Sequence, residues 1–192
     1  MSTTSASSAK KNTSDLFQAH DHYLVDELLT EEQRLIRDTA RQHVSKHLKP
    51  IIEDRFEKAE FSKDIIPGLA EIGAFGPFVP EAYGGPGLDQ ISYGLIMQEI
   101  ERCDSGLRSL CSVQGSLAMY PIWKYGSEEQ KMKWLPDMVQ GKKIGCFGLT
   151  EPDFGSNPSG MVTTFKDMGD HYVLNGAKMW ISNAPFADLA VV

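Results

Sequence analysis

The hydrophobic period of this chain changes at Gly141. Before it, apolar residues recur three or four apart, as on one face of an α-helix. After it, short apolar runs are separated by turn residues, the pattern of strands and hairpins. Neither kind of element buries its apolar face alone, so the chain must combine a helical unit with a sheet unit. The expected architecture is α+β. An N-terminal all-helical domain over 23–143 precedes the first part of an antiparallel β-domain over 144–192. A disordered tail over 1–22 comes first. Met1 to Ser14 are rich in Ser, Thr, Ala and Lys and lack the apolar stretch of a secretory signal.

Local signals predict the helices. Thr30 with Gln33 forms a capping box, and Ile36, Ala40, Val44 and Leu48 follow on one face until Pro50 ends the run. Ser62 caps a second helix carrying Ile66, Leu69, Ala70 and Ile72, with Gly73 as its left-handed stop. Pro80 to Gly87 is a loop. A third helix spans about Ile91 to Glu101, with Ile91, Leu95, Ile96 and Ile100 inward. Asp104-Ser105-Gly106 breaks it. A fourth runs from near Leu107 to Met119, closed by Pro121. Ser127 and Gln130 form another capping box, and that helix is interrupted at Pro136 and stopped at Gly141.

Beyond Gly141, strands are expected at Ile144 to Leu149, Thr163 to Met168, His171 to Leu174, Ala177 to Ser182 and Ala187 to Val192. Gly169-Asp170 and Asn175-Gly176 supply the hairpin turns. An apolar last strand with an open edge suggests that the β-domain continues past Val192.

Nineteen Lys and Arg stand against 26 Asp and Glu, a net charge of −7, which argues against nucleic acid or anionic membrane as partner. No apolar run is long enough to span a bilayer. Cys103, Cys111 and Cys146 fit no zinc or redox spacing and read as free thiols in a reducing compartment. His43 and His47 stand four apart but lack a third ligand at a matching position, so no metal is expected.

Three segments can carry chemistry. Gly145 to Pro158 runs a strand into a loop of Pro, Gly, Ser and Asn. Its free backbone N–H groups, with Thr150 and Ser156, suit a polar, anionic or heteroaromatic ligand; an ordinary surface turn is the alternative. In Asn175 to Asn183, a strand would put Trp180 and Ser182 on one face. They would form a floor for a planar ring, or Trp180 would simply pack in a sheet core. In Glu99 to Ser112, Arg108 lies in the first turn of a helix, where the dipole disfavours a cation. It needs a carboxylate partner, Glu101 or Asp104, or an anionic ligand held in bidentate fashion.

Together these segments resemble the acyl-CoA dehydrogenase family, from roughly Leu29 to Val192. Gly145 to Pro158 is similar to its first flavin-contacting stretch and Asn175 to Asn183 to its second. Within that family, Ser105 to Gln114 resembles the glutaryl-CoA dehydrogenase branch. The resemblance implies FAD as cofactor, contacted by Phe147, Leu149, Thr150, Gly155, Ser156, Trp180, Ile181 and Ser182. Thr150 would meet the pyrimidine side of the flavin, Trp180 the isoalloxazine, and Ser182 N5. It implies an acyl-CoA substrate, with Ser156 on the CoA portion and Ser109 and Ser112 near the acyl pocket. Arg108 would receive the distal carboxylate of glutaryl-CoA, and Glu101 would orient Arg108.

The implied reaction is α,β-dehydrogenation, followed for glutaryl-CoA by decarboxylation to crotonyl-CoA. Its base would be a glutamate in a C-terminal helical domain outside these residues, so the chain by itself is expected to be inactive and to bind FAD poorly. A dehydrogenase or oxidase for another short acyl-CoA, or a non-catalytic fragment, is the alternative. Electron-transferring flavoprotein is the implied acceptor and a homotetramer the implied assembly. The tail, which lacks Arg and an amphipathic pattern, favours the bacterial cytoplasm, with the mitochondrial matrix as alternative.

Overall fold

The computed structural model describes residues 20–192. Most of the expected tail lies outside them; His20, Asp21 and His22 are exposed. The helical part contains α1 (Glu31–His43), α2 (Lys49–Glu57), α3 (Ile66–Glu71), α4 (Gln90–Glu101), α5 (Ser105–Ser112), α6 (Tyr120–Tyr125) and α7 (Glu128–Val139). Four short strands follow: β1 (Gly145–Phe147), β2 (Thr164–Asp167), β3 (Tyr172–Asn175) and β4 (Leu189–Val191).

Both predicted capping boxes form, at Thr30/Gln33 and Ser127/Gln130. Gln33 does double duty, since its Nε2 donates to Asp89 Oδ2 at 2.7 Å. Asp89 in turn caps α4 by accepting the Ser92 N–H at 2.6 Å. This chain of bonds ties the start of α1 to the start of α4. The core between them holds Ala40, Val44, Leu48, Leu69, Ile96 and Ile100. Phe75, Met119, Leu135 and Met138 extend it towards β1.

Several expectations need correction. Pro50 and Pro121 end nothing: each stands in the first turn of a further helix, α2 and α6. Val44–Leu48 and Val113–Met119, just ahead of them, are π-helical. A proline ring collides with the carbonyl four residues back, here that of Lys46 or Leu117. Both carbonyls belong to the π-helical segments, whose wider turn displaces them and lets the helix continue. α7 likewise runs through Pro136 without interruption. Ser62 has the extended backbone of an N-cap but no capping bond from its side chain, and α3 starts only after a short 3-10 turn over Lys63–Ile65. On α4 it is Ser92, Glu99, Ile96 and Ile100 that are buried, while Ile91 is exposed. Gly73 takes the predicted left-handed stop, and Gly141, read as the end of the last helix, is left-handed as well.

β2 and β3 form the expected antiparallel hairpin, in register Thr164↔Asn175 to Asp167↔Tyr172. β1 instead pairs in parallel with β4, Gly145↔Leu189 through Phe147↔Val191. The predicted strand over Ala177 to Ser182 does not form, and Asn175-Gly176 makes no hairpin. Gly176 passes so close to Thr163 that a β-carbon there would collide with its side chain. Glycine serves close approach here rather than a tight turn.

The two parts are joined by amides. Gln114, fully buried in the second π-helical segment, donates to the Met138 and Lys143 carbonyls at 3.0 and 2.8 Å. Its Oε1 accepts the Gly145 N–H at 2.7 Å. Asn183, also buried, donates to the Gly145 carbonyl at 3.2 Å and towards the Leu110 carbonyl at 3.4 Å. All four polar atoms of these contacts on Gln114 and Gly145 are satisfied, so this junction fixes where β1 leaves the helical core. No helix among the described residues is long and apolar enough to cross a membrane.

Candidate functional site

Asp104 caps α5 by accepting the Leu107 N–H at 2.7 Å. That leaves Glu101, at the end of α4, as the partner of Arg108. Arg108 Nε donates to Glu101 Oε2 at 2.5 Å, and Nη1 to Ser112 Oγ at 3.2 Å. Glu101 Oε1 accepts from the Ser105 hydroxyl at 2.6 Å. Arg108 and then Ser105 hold the Glu101 carboxyl below the usual carboxylate range. The Arg108 side chain is 35% exposed, and its Nη2 has no protein partner among the described residues. The guanidinium is therefore oriented from one side and open on the other, which suits an incoming carboxylate.

An open groove of about 990 Å³ lies between the helical part and the segment after β3. Glu101 and Ser109 line it from the helices, Ser182 and Asn183 from the far side, and Phe61 and Phe186 stack at 4.8 Å on its wall. The groove thus brings together Glu101, Ser109 and Ser182, three residues singled out from sequence. Arg108 sits beside it, not on its lining.

Trp180 is not in a strand and does not share a strand face with Ser182. Its backbone takes φ 58° and its side chain is 82% exposed. A left-handed backbone is costly for a bulky residue and persists only where its surroundings impose it. The neighbouring Met179 N–H donates to the Thr150 carbonyl at 2.9 Å, which sets Thr150 beside the Trp180 segment. An aromatic face left open beside the Thr150 backbone, with Ser182 on the lining of the groove, can take a planar heteroaromatic ring.

Phe147 is half-buried at the end of β1, Leu149 is exposed just after it, and Ile181 is half-buried. Gly155 and Ser156 remain exposed in the loop and line none of the groove. Sequence reasoning missed Glu151, Lys178 and Asn183. Glu151 is buried against Lys178 at 2.9 Å, yet 27 residues separate the two, and no local pattern joins them. Cys111 is buried, and burial raises its thiol pKa. Burial pushes the half-buried Cys103 up to about 11. Among the described residues, no three His, Cys, Asp or Glu side chains gather to hold a metal.

Comparison with known proteins bears on this arrangement. In solved structures, the chain is 48% identical to a glutaryl-CoA dehydrogenase from Mycobacterium smegmatis in complex with FADH2. That match has a TM-score of 0.86 and covers 88% of this chain and 44% of the other. The chain is 37% identical to the rat (Rattus norvegicus) mitochondrial short-chain specific acyl-CoA dehydrogenase, over 85% of this chain and 40% of that protein. It is 41% identical to a caffeyl-CoA reductase-Etf complex subunit of Acetobacterium woodii, over 85% of this chain and 43% of that protein. The chain spans less than half the length of these relatives. Residues 30–142 match the acyl-CoA dehydrogenase N-terminal domain, and residues 146–192 match the acyl-CoA dehydrogenase middle domain. A helical unit matching the family's N-terminal domain is followed by strands matching its middle domain, in that order along one chain: the chain belongs to the acyl-CoA dehydrogenase family.

Proposed function

We propose that the whole protein is an FAD-dependent acyl-CoA dehydrogenase that oxidatively decarboxylates glutaryl-CoA to crotonyl-CoA and CO2. The observation that carries the substrate is Arg108: anchored by Glu101 at 2.5 Å and by Ser112, with one guanidinium nitrogen left for a ligand. A distal carboxylate can dock there with charge-assisted bonds, while Ser109 lies on the adjoining groove. A simple acyl chain would leave the guanidinium without its anion, which penalises it relative to glutaryl-CoA. Likeness to a glutaryl-CoA dehydrogenase supports the same choice.

FAD, when bound, supplies the acceptor for a hydride from the β-carbon. Thr150, Trp180 and Ser182 would hold it, with Phe147, Leu149, Gly155, Ser156 and Ile181 as further contacts. Ser156 would also meet the CoA portion. Electron-transferring flavoprotein is the proposed acceptor, supported by the relative that works in an Etf complex. A homotetramer in the bacterial cytoplasm completes the proposal. The domain limits 23–143 and 144–192 belong to it as well.

Anaerobic addition of glutaryl-CoA to the FAD-loaded whole protein tests this reading. Flavin bleaching by glutaryl-CoA, well beyond that by butyryl-CoA, is expected. Bleaching by butyryl-CoA alone would instead place the protein with the short-chain relatives.

A further inference from the structure

Glu151 lies in the loop after β1, yet its side chain is only 1% exposed. Its carboxylate accepts the Val162 N–H at 2.7 Å and the Thr163 N–H at 2.9 Å, and it meets Lys178 Nζ at 2.9 Å. Lys178, 14% exposed, also donates to the Leu149 carbonyl at 2.9 Å. Beside it runs the 2.9 Å bond from the Met179 N–H to the Thr150 carbonyl. Three separate pieces of chain therefore converge on one enclosed carboxylate.

A buried ion pair is a poor source of net stability, because apolar residues of similar volume often do as well. What this one supplies is fixed geometry, since every partner is held by a directional, charge-assisted bond. The pieces it fixes are those carrying the flavin-facing candidates: Leu149 and Thr150 on one side, Trp180 to Ser182 on the other. Glu151 is closed off from solvent, so it can act on a bound ring only through these neighbours.

We propose that Glu151 and Lys178 are a positioning pair that locks Thr150 and Trp180 in one register, so that both stretches present a preformed surface to a flavin ring. The inference rests on the flavin reading above. Preorganisation of this kind lowers the ordering cost of binding without adding a contact.

The test uses the isotope-labelled whole protein, stripped of bound flavin, with FAD as probe, and the variants K178M, E151Q and K178R. NMR follows hydrogen exchange at the Met179 amide, and the Trp180 indole resonance during FAD titration, which registers weak binding too. In K178M and E151Q, Met179 exchange should quicken about tenfold, the scale of losing a hydrogen bond to a charged group. The FAD needed to half-shift Trp180 should rise about as much. Amides of α1, α4 and β1 should keep wild-type exchange, and K178R, which retains the charge, should stay near wild type in both readouts. If E151Q loosens the control amides, the two Lys178 variants decide.

Unchanged Met179 exchange in the variants overturns the lock. Faster exchange with an unchanged FAD requirement makes the pair merely structural, which overturns the proposal and leaves the flavin reading standing. A wild-type Trp180 resonance indifferent to FAD overturns both.

Discussion

Glu99 is fully buried on α4 and takes both bonds of a bidentate pair from Arg41, at 2.8 and 3.0 Å. Replacing it with Gln breaks one half of that pair and leaves the Arg41 guanidinium partly unpaired. Breaking buried pairs costs several kcal/mol; with Arg41 a third exposed, E99Q should lose about 2–3 kcal/mol in thermal or denaturant unfolding. Lys58→Ala, by contrast, removes an exposed pair with Asp54 and should change stability by under about 0.5 kcal/mol. Equal effects of the two changes would contradict this burial argument. Side chains whose partners are three residues away, such as Thr30 with Gln33, were legible in the sequence. The partners of Glu99 and Glu151 lie 58 and 27 residues off, and sequence spacing says nothing about which distant charges meet. Arg108 is the intermediate case: helix polarity demanded a partner and named two, and only the capping role of Asp104 left Glu101 for it.

Between elements, glycine marks where backbones touch. Gly85 packs so tightly on the Val79 backbone that a β-carbon would collide with its carbonyl, which cannot step aside as a side chain can. Gly73, at φ +72°, has open space around it. Gly73→Ala should therefore cost only the left-handed backbone penalty, about 1 kcal/mol. Gly85→Ala should cost more, about 2–3 kcal/mol, because the loop before α4 must move. Chemical denaturation of the two variants checks the order. At this scale the two capping boxes and the β2–β3 hairpin were legible, because each is decided within a few residues. The helices continuing past Pro50 and Pro121 were not, since proline normally stops a helix and the π-helical turns that admit it carry no sequence mark. Nor was the parallel β1–β4 pairing, which joins strands more than forty residues apart. Asn175-Gly176 misled because a turn-forming pair and a glycine needed for close approach look alike until the neighbour, Thr163, is known.

For the molecule as a whole, acid should act first through its held carboxylates. Its neighbour Thr163, then the Val162 N–H and Lys178, bring Glu151 down to about 2 from an ordinary 4.5. A depressed carboxyl contributes stability that is present above the unfolded value and lost as pH falls through the folded one. Asp89 and Asp188, held low by the N–H groups of Ser92 and Ile144, act in the same direction. Stability should thus decline from about pH 4.5 towards pH 2, and E151Q should flatten that decline when unfolding is followed by circular dichroism. Substrate choice is the central claim at this scale, and Arg108 decides it. The most direct measurement is kcat/KM of the whole protein for glutaryl-CoA and butyryl-CoA, in wild type and R108A. Losing a charged pair at a one-third exposed site predicts a fall of roughly thirtyfold, ~2 kcal/mol, for glutaryl-CoA, with butyryl-CoA unchanged or improved. An equal fall for both substrates would contradict the account.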